Sequence, residues 1–330
     1  MNNEIDSKQK IDLRDFIPQK IQSGRLGHIF DLYCEEREKY YYLHYFTNVA
    51  NQTGKNVGIR KYDDKIIKKI NRTLETFEVL GLLQGEMSKT YNKTIIFANC
   101  EPNLNRKVMD WFSNELGIKH DYWHWYIKVN INKPLDIIYQ KQVEDKVITY
   151  WLNETKINFD KRYPTTVSFI KDTVNKKLRD TDYGTLLIEF KSNIISEVFK
   201  NFVKKMTYEH IVNCTFGEIL FYMRGIIAAE STIHLSLLTG HYRVYITSTK
   251  KEERLIFIKC LEKLGIESKN YDCVDDVIIS RKHNNFKLLE LDMMSLNPTK
   301  YKKFQELISC YSKQTGNNFL IKESPMLAYT

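Results

Sequence analysis

Two short stretches of this chain have the same pattern of residues. Residues 79–86 read VLGLLQGE and residues 223–230 read MRGIIAAE. Each stretch places small residues at its third and seventh positions, surrounds them with apolar residues, and ends on a glutamate. Because residues four apart lie on one face of a helix, each stretch predicts a helix with a stripe of small residues that lets a second helix approach closely. The repetition favours two helices that pack against each other.

This packing would bring two carboxylates together. The small residues that we expect at the helix interface are Gly81, Gly85, Gly225 and Ala229. Glu86 and Glu230 would then emerge side by side at the C-terminal ends of the helices. Adjacent carboxylates repel unless a cation lies between them, and Mg²⁺ or another divalent ion that prefers oxygen ligands suits such a pair. The two glutamates are therefore candidate catalytic and metal-binding residues for phosphodiester hydrolysis. The alternative is two ordinary buried helices whose glutamates face solvent.

The composition favours a polyanionic partner. The chain has 330 residues, a net charge of +9 and a pI of about 9.0, which is more typical of nucleic-acid binding than of binding to an anionic membrane. A lysine-rich background composition without any such partner is the alternative. Six cysteines without regular spacing indicate reduced thiols. With no apolar signal-peptide core and no bilayer-length apolar run, we expect a cytoplasmic protein with no membrane partner.

Residues 1–70 are expected to form an N-terminal helical extension. The tyrosine-rich stretch 31–49 and the stretch from residue 63 into the first octet both have helical spacing. Two helices around a glycine-containing turn are compatible with a small DNA-reading unit. A packing appendage without a role of its own is the alternative that we favour.

The rest of the chain has a similar order of elements after each octet. After the first, strands are predicted at 94–99, 123–131, 165–170 and 185–190, and helices at 101–118, 142–154 and 193–206. After the second, strands are predicted at 233–238, 242–248, 274–280 and 286–292, and helices at 250–266 and 298–313. This order indicates an internal duplication: a first half at 71–206 with an insertion at 134–182, a second half at 207–315, and a tail at 316–330.

The octets and their surroundings resemble the two signature helices of a single-chain LAGLIDADG homing endonuclease, over about residues 71–313. The resemblance implies an α+β fold of two pseudo-symmetric αββαββα halves. These would pack through a central pair of helices, and their antiparallel sheets would form a DNA-binding saddle. The eighth position of the motif carries the metal-binding acid in that family, and it falls here on Glu86 and Glu230. A monomeric, often intron-encoded, magnesium-dependent endonuclease for double-stranded DNA is the implied function.

The same resemblance assigns DNA contacts to the polar faces of the strands at 233–238 and 242–248. These residues are His234, Ser236, Arg243, Tyr245 and Thr247. They combine hydrogen-bond donors, acceptors and an arginine capable of a bidentate contact with guanine. A solvated outer face, which many antiparallel sheets have, is the alternative role for these side chains.

Some features depart from the family pattern. Only seven residues separate Glu86 from the strand at 94–99, so the first hairpin of the first half is shortened. The sixth motif position, where an acid is frequent, holds Gln84 in one octet and Ala228 in the other. A non-cleaving DNA-binding regulator and an RNA-splicing maturase that binds structured RNA therefore remain alternatives on the same fold.

Overall fold

A computed structural model of the chain describes residues 10–23, 28–50, 56–87, 94–131, 136–157, 166–171, 183–236, 240–271 and 273–315. Helices and mainly antiparallel sheets mix along these residues, which makes the fold α+β. Within the same ranges, no helix is both long enough and apolar enough to cross a bilayer. The predicted tail at 316–330 lies outside the described residues.

The N-terminal part of the chain is a β module, so the predicted helical extension is wrong. Its strands are β1 (Lys10–Asp12), β2 (Lys20–Ser23), β3 (His28–Asp31), β4 (Tyr33–Glu36), β5 (Tyr40–Ala50), β6 (Asn56–Ile67) and β7 (Lys69–Asn71). β4, β5 and β6 form one antiparallel sheet, while β1 pairs with β7 and β2 with β3. These strands also exclude a helix–turn–helix unit in the described part of residues 1–70.

The physical reason for this correction is a period of two in the tyrosine-rich stretch. Tyr41, Leu43 and Tyr45 are buried, and the residues between them are more exposed. Aromatic side chains fit a pleated, half-buried surface well. The stretch contains so many apolar residues that they fit helical spacing as well. The spacing alone therefore did not decide between a helix and a strand. From residue 63, β6 and β7 likewise take the place of the predicted helix.

The first octet belongs to a helix that starts after this module. Thr73 is its N-cap, and the Thr73 side chain accepts a hydrogen bond from the backbone N–H of Thr76. The elements that follow are α1 (Leu74–Glu86), β8 (Ile95–Asn99), α2 (Pro102–Leu116), β9 (Trp123–Ile131), α3 (Ile137–Thr155), β10 (Thr166–Lys171), β11 (Thr185–Phe190) and α4 (Asn193–Lys205). The strands and helices predicted between 94 and 206 are confirmed by these elements.

The four strands of this region form one sheet in the order β10-β9-β11-β8. β11 is antiparallel to both β8 and β9, whereas β10 runs parallel to β9. The predicted antiparallel sheet therefore carries one parallel edge strand. Both α3 and β10 lie within the segment that was predicted to be an insertion.

The second octet begins a similar series of elements. They are α5 (Phe216–Glu230), β12 (Ser231–Ser236), β13 (His241–Thr247), α6 (Lys251–Lys263), β14 (Lys269–Asn270), β15 (Asp276–Ile279), α7 (Lys282–Glu290) and α8 (Pro298–Thr315). The sheet order is β12-β13-β15-β14, and all pairs are antiparallel. The predicted hairpin is confirmed as β12 and β13.

The strand predicted at 286–292 is wrong, because helix α7 covers most of that stretch. The buried residues of α7 are Asn284, Asn285 and Leu288, which recur at helical spacing. The side-chain amide of Asn285 donates to the Tyr311 hydroxyl at 2.9 Å and so satisfies a buried polar group. An apolar run of this length is ambiguous in sequence, and the packing partners of the buried asparagines decide it.

Helices α1 and α5 lie at the centre of the fold, and ion pairs join them at their N-terminal ends and near the middle of their contact. Arg72, just before α1, donates to both oxygens of Glu218 on α5, at 2.6 and 3.0 Å. In the first half of α1, Glu78 is buried and lies 3.2 Å from Arg224 on α5. Lys107 on α2 lies 2.7 Å from the other oxygen of Glu78. These pairs fix the relative position of the two helices.

Candidate active site and nucleic-acid interface

The two octet helices are in direct backbone contact where they cross. A methyl group added to Gly81 would lie 2.1 Å from the backbone oxygen of Tyr222 and 3.1 Å from the Cα of Gly225. One added to Gly225 would lie 2.2 Å from the backbone oxygen of Glu78. Only glycine leaves room for the crossing at these two positions, since real Cβ atoms do not approach other atoms so closely.

One turn further along, the helices are still close and the acidic residues follow. A methyl group on Gly85 would lie 2.5 Å from the Cβ of Ala229 and 3.5 Å from the Oε1 atom of Glu230. The Glu230 carboxylate is thus beside the last turn of α1, which ends at Glu86. Strand β12 begins directly after Glu230, so the acids lie where the helices meet the sheet.

The electrostatics of the pair also reflect this proximity. Burial raises the pKa of Glu86 to about 7, and the negative charge of Glu230 contributes to the increase. The charge of Lys300 and a hydrogen bond from Asn99 act in the opposite direction. The Asn99 amide donates to Glu86 Oε1 at 2.9 Å. Asn99 ends strand β8, so the sheet orients this carboxylate.

A lysine that sequence analysis did not identify lies beside the two acids. Lys300, in the first turn of α8, donates to the last carbonyls of α5, at 2.7 Å for Ala229 and 2.8 Å for Ala228. Burial lowers the pKa of Lys300 to about 8, while the charges of Glu86 and Glu230 oppose that decrease. No local sequence signal distinguishes Lys300 from the other lysines of its helix, because only tertiary packing brings it to the end of α5.

The site offers a metal ion only a few protein ligands. Among the described residues, no group of three or more His, Cys, Asp or Glu side chains is arranged to hold a metal. The carboxylates of Glu86 and Glu230 are partly buried and repel each other. A divalent cation bound between them would relieve this repulsion. Mg²⁺ usually keeps several waters and takes only one or two carboxylates together with substrate phosphates. The donor set therefore suits Mg²⁺ better than a metal that needs a complete protein cage.

The five predicted DNA-contact residues lie on one polar face of the second sheet. On β12 and β13 the apolar residues between them are mostly buried on the opposite face. His234 is directly across from Arg243, and the His234 ring lies edge-on to Tyr245 at 6.2 Å between centroids. Thr247 is less available for a contact with DNA, since its hydroxyl already donates a hydrogen bond to the Asp276 carboxylate at 2.7 Å. Ser236 is at the end of β12, partly exposed.

The first sheet has an open polar face as well, which sequence analysis did not assign to DNA. On β9, Trp123 and Trp125 are buried, whereas the alternate residues face outward. The outward residues are His124, Tyr126, Lys128 and Asn130. The strict alternation in WHWYIKVNI was the signal that could have identified them, since it separates the two faces of a strand.

Comparisons with known proteins give only weak similarity. The N-terminal LAGLIDADG domain of DUF199/WhiA aligns at 10% identity with a TM-score of 0.32, over 66% of this chain and 83% of that chain. Mesophilic variants of the homing endonuclease I-DmoI align at 14% identity with a TM-score of 0.31, over 68% of this chain and 98% of theirs. I-DmoI in complex with DNA and Ca aligns at 14% identity with a TM-score of 0.30, over 68% and 92% of the two chains. No family model matches the chain, and no curated protein matches it. Scores this low carry no functional conclusion.

Proposed function

We propose that this protein is a metal-dependent, site-specific endonuclease that cleaves double-stranded DNA. The observation that carries the proposal is the convergence of Glu86 and Glu230 at the ends of two helices in backbone contact. Burial and, to a smaller extent, the charge of Glu230 raise the pKa of Glu86 there. Two carboxylates forced together from separate elements favour the binding of a cation.

The strand orders support two related halves on either side of this site. Met87 forms an isolated antiparallel bridge with Phe97 of β8. With Met87 included and β10 set aside, the first sheet has the order Met87, β8, β11, β9, and the second has β12, β13, β15, β14. In both, the segment directly after the central helix occupies an edge and the third strand occupies the other edge. We infer two αββαββα halves, with α3 and β10 as an insertion in the first half.

Each residue of the site would have a separate role in hydrolysis. Glu86 and Glu230 would hold the divalent ion, for which Mg²⁺ is the first candidate. When bound, such an ion supplies Lewis-acid activation of the scissile phosphodiester and of the attacking water. Asn99 orients Glu86 through its amide. Lys300 holds the last turn of α5, and hence Glu230, while its ammonium adds positive charge beside the acids.

The two polar sheet faces would contact the DNA. Arg243 and Lys128 are cations on the open faces of the second and the first sheet, respectively. Such side chains provide guanine-specific and phosphate contacts in protein–DNA complexes. The net charge of +9 adds a general attraction to polyanions. Both octet helices belong to one chain, so the proposal includes action as a monomer.

The test is to incubate the purified protein with a randomised plasmid library and Mg²⁺ and to sequence the resulting ends. We expect cuts at a defined sequence with the wild-type protein and none with a Glu86→Gln, Glu230→Gln double variant. Glu252→Gln is the matched control, because Glu252 is exposed in the first turn of α6. Cutting by the double variant would exclude these residues as the metal ligands.

A non-cleaving DNA-binding regulator is the second candidate, and the position of Lys300 favours it. An ammonium beside Glu86 and Glu230 already balances part of their charge, which reduces the need for a metal. DNA retention without any Mg²⁺-dependent scission in the same experiment would support this candidate. An RNA-splicing maturase is the third, and a preference for structured RNA over the DNA library would support it.

A further inference from the structure

The hairpin of β5 and β6 extends beyond the core of the N-terminal β module. Near its base, Tyr41, Leu43 and Tyr45 are buried on one face of β5. Further along, residues 46–49 of β5 and 58–62 of β6 include no buried residue, so both faces of the two strands are open there. We call these two ranges the arm. The proposed function does not use the arm.

The sequence of this hairpin contains no acidic residue. Residues 39–62 include four lysines or arginines and no aspartate or glutamate. Residues 231–251, which contain the proposed DNA-contact strands β12 and β13, also lack acids. Acids are frequent in the chain as a whole, with 41 among 330 residues. A stretch that carries only positive charges favours a polyanionic partner.

Two of these cations are exposed on the arm. Arg60 and Lys61 are adjacent on β6, so their side chains leave opposite faces of the ribbon. Neither forms an ion pair with any residue that the structure describes. On β5 they are opposite Thr47 and Phe46, which carry no charge. The Arg60 guanidinium lies 4.8 Å from the centre of the Tyr62 ring, a contact that leaves its charge available to a phosphate.

The arm lies beside the polar face of the first sheet. Thr47, Asn48 and Tyr62 line one side of a cavity of about 600 Å³, and Lys191 lines the same cavity just after the end of β11. The Lys191 ammonium donates to the Tyr126 hydroxyl at 3.4 Å, and Tyr126 belongs to the outward face of β9 that we assign to DNA. A duplex that lies on this face and continues past this end of the sheet therefore meets the arm.

Hydrogen bonds hold the β module against the first half of the fold. The hydroxyl of Ser192, the N-cap of α4, donates to Asp64 on β6 at 2.5 Å. At the other end of α4, the Lys205 ammonium donates to the backbone oxygen of Asp15 at 2.7 Å. The module is thus attached along the whole helix, which gives the arm a fixed position relative to the first sheet.

We propose that the arm is a second DNA-binding element, which contacts the phosphate backbone of the duplex beyond the part that the first sheet covers. A two-stranded β ribbon fits the width of the major groove, and Arg60 and Lys61 bind phosphates from its two faces. The inference rests on DNA as the partner in the proposed function, but it requires neither cleavage nor a metal ion.

The first experiment measures binding of the full-length protein to a long mixed-sequence duplex by fluorescence anisotropy, at several salt concentrations and without divalent metal. The Arg60→Gln, Lys61→Gln double variant is expected to lower the slope of log affinity against log salt by about two, since each lost phosphate contact removes about 0.9. The Lys10→Gln, Lys69→Gln variant is the matched control, because it removes the same charge from exposed positions on β1 and β7. It is expected to keep the wild-type slope.

The second experiment identifies what the arm contacts by photo-cross-linking. Benzoylphenylalanine replaces Ile59, an arm residue that is 72% exposed, or Leu255, an exposed residue of α6 that is the control. We expect a cross-link to the labelled duplex from the arm and none from α6. A cross-link from the arm to a second copy of the protein, with none to DNA, would overturn the proposal and assign Ile59 and Phe46 to self-association.

The results separate this inference from the proposed function. A salt slope that is the same in the folded double variant and the wild type would overturn the arm as a DNA contact and leave the endonuclease proposal intact. A reduced slope together with the DNA cross-link, in a protein that cuts no DNA with Mg²⁺, would support the arm and exclude the endonuclease. Circular dichroism shows whether each variant is folded. If the double variant does not fold, Lys61→Gln replaces it, with an expected change in slope of about one.

Discussion

Gly81 and Gly225 lie against each other where α1 and α5 cross, and the Cα of Gly225 is 3.1 Å from the place that a Cβ on Gly81 would occupy. This crossing sets the distance between the two helices along their whole contact. Glu86 and Glu230 follow five residues later in each helix. The distance between the two carboxylates therefore depends on glycine at both positions, because a side chain at either one would separate the helices.

Replacing either glycine at the crossing is expected to destabilise the fold strongly. Gly81→Ala or Gly225→Ala would force the helix backbones apart, and we expect a loss of about 3 kcal/mol or more in the free energy of unfolding. Gly58→Ala is the control, because nothing lies within 4 Å of a Cβ at that position. Chemical denaturation measures the difference. A loss of less than about 1 kcal/mol at both glycines would contradict the close crossing.

The raised pKa of Glu86 predicts a pH-dependent stability. Its folded value of about 7 lies above the ordinary value of 4.5, so the folded state holds this proton more tightly than the unfolded state does. The free energy of unfolding therefore falls as the pH rises from about 4.5 to about 7, by about 3 kcal/mol for this group. Glu86→Gln removes the penalty. We expect the variant to exceed the wild type in stability at pH 8 and to match it near pH 4.5.

Denaturation curves at both pH values test this, with Glu252→Gln as the control that changes an exposed acid. A stability advantage of Glu86→Gln that does not depend on pH would show that the carboxyl does not titrate in this range.

Protons and metal ions are expected to compete for the same carboxylate. Because Glu86 must lose its proton to bind a cation, the Mg²⁺ concentration that gives half-maximal thermal stabilisation should fall as the pH rises through about 7. Thermal melting at several Mg²⁺ concentrations, at pH 6 and pH 8, measures the shift. The Glu86→Gln, Glu230→Gln double variant should show no stabilisation by Mg²⁺ at either pH. Equal stabilisation of the variant and the wild type would place the bound ion elsewhere.

Lys300 is expected to be necessary for the end of α5. Lys300→Met leaves the carbonyls of Ala228 and Ala229 without this donor and leaves the two acids without a nearby cation. We expect a loss of about 3 kcal/mol in the free energy of unfolding at pH 7. Lys302→Met is the matched control in the same helix, since Lys302 is exposed. Similar stability of the two variants would mean that Lys300 does not hold the helix end.

The sheet faces predict two different effects on DNA binding. Arg243→Ala should reduce affinity for the preferred sequence roughly 5- to 150-fold and relax specificity, as expected for a lost base contact. Lys128→Ala should weaken binding to all sequences and lower the slope of affinity against salt by about one. Arg106→Ala is the control, because Arg106 pairs with Asp110 on α2. Binding isotherms at several salt concentrations measure both effects. Unchanged affinity in both variants would show that these sheet faces do not contact DNA.

The elements that were predicted correctly have strong local signals. The helix of residues 101–118 was expected from a proline at its start and a glycine at its end, and α2 has Pro102 in its first turn and Gly117 in the left-handed conformation as its C-cap. The strand at 123–131 alternates strictly. The N-terminal module and α7 lacked such a signal, since crowded apolar residues satisfied both the helical and the strand period.

The sequence by itself determined that α1 and α5 exist, that each carries a stripe of small residues, and that each ends on a glutamate. Those properties depend on local spacing, which a linear pattern contains. Only the tertiary structure decided that Asn99 and Lys300 meet the two glutamates, and that a cavity forms between β6 and the start of α4. Lys300 reaches α5 from a helix about 70 residues away, and such a contact depends on how α8 packs on the sheet. Packing of that kind is set by the shapes of many buried side chains together, so no single stretch of sequence encodes it.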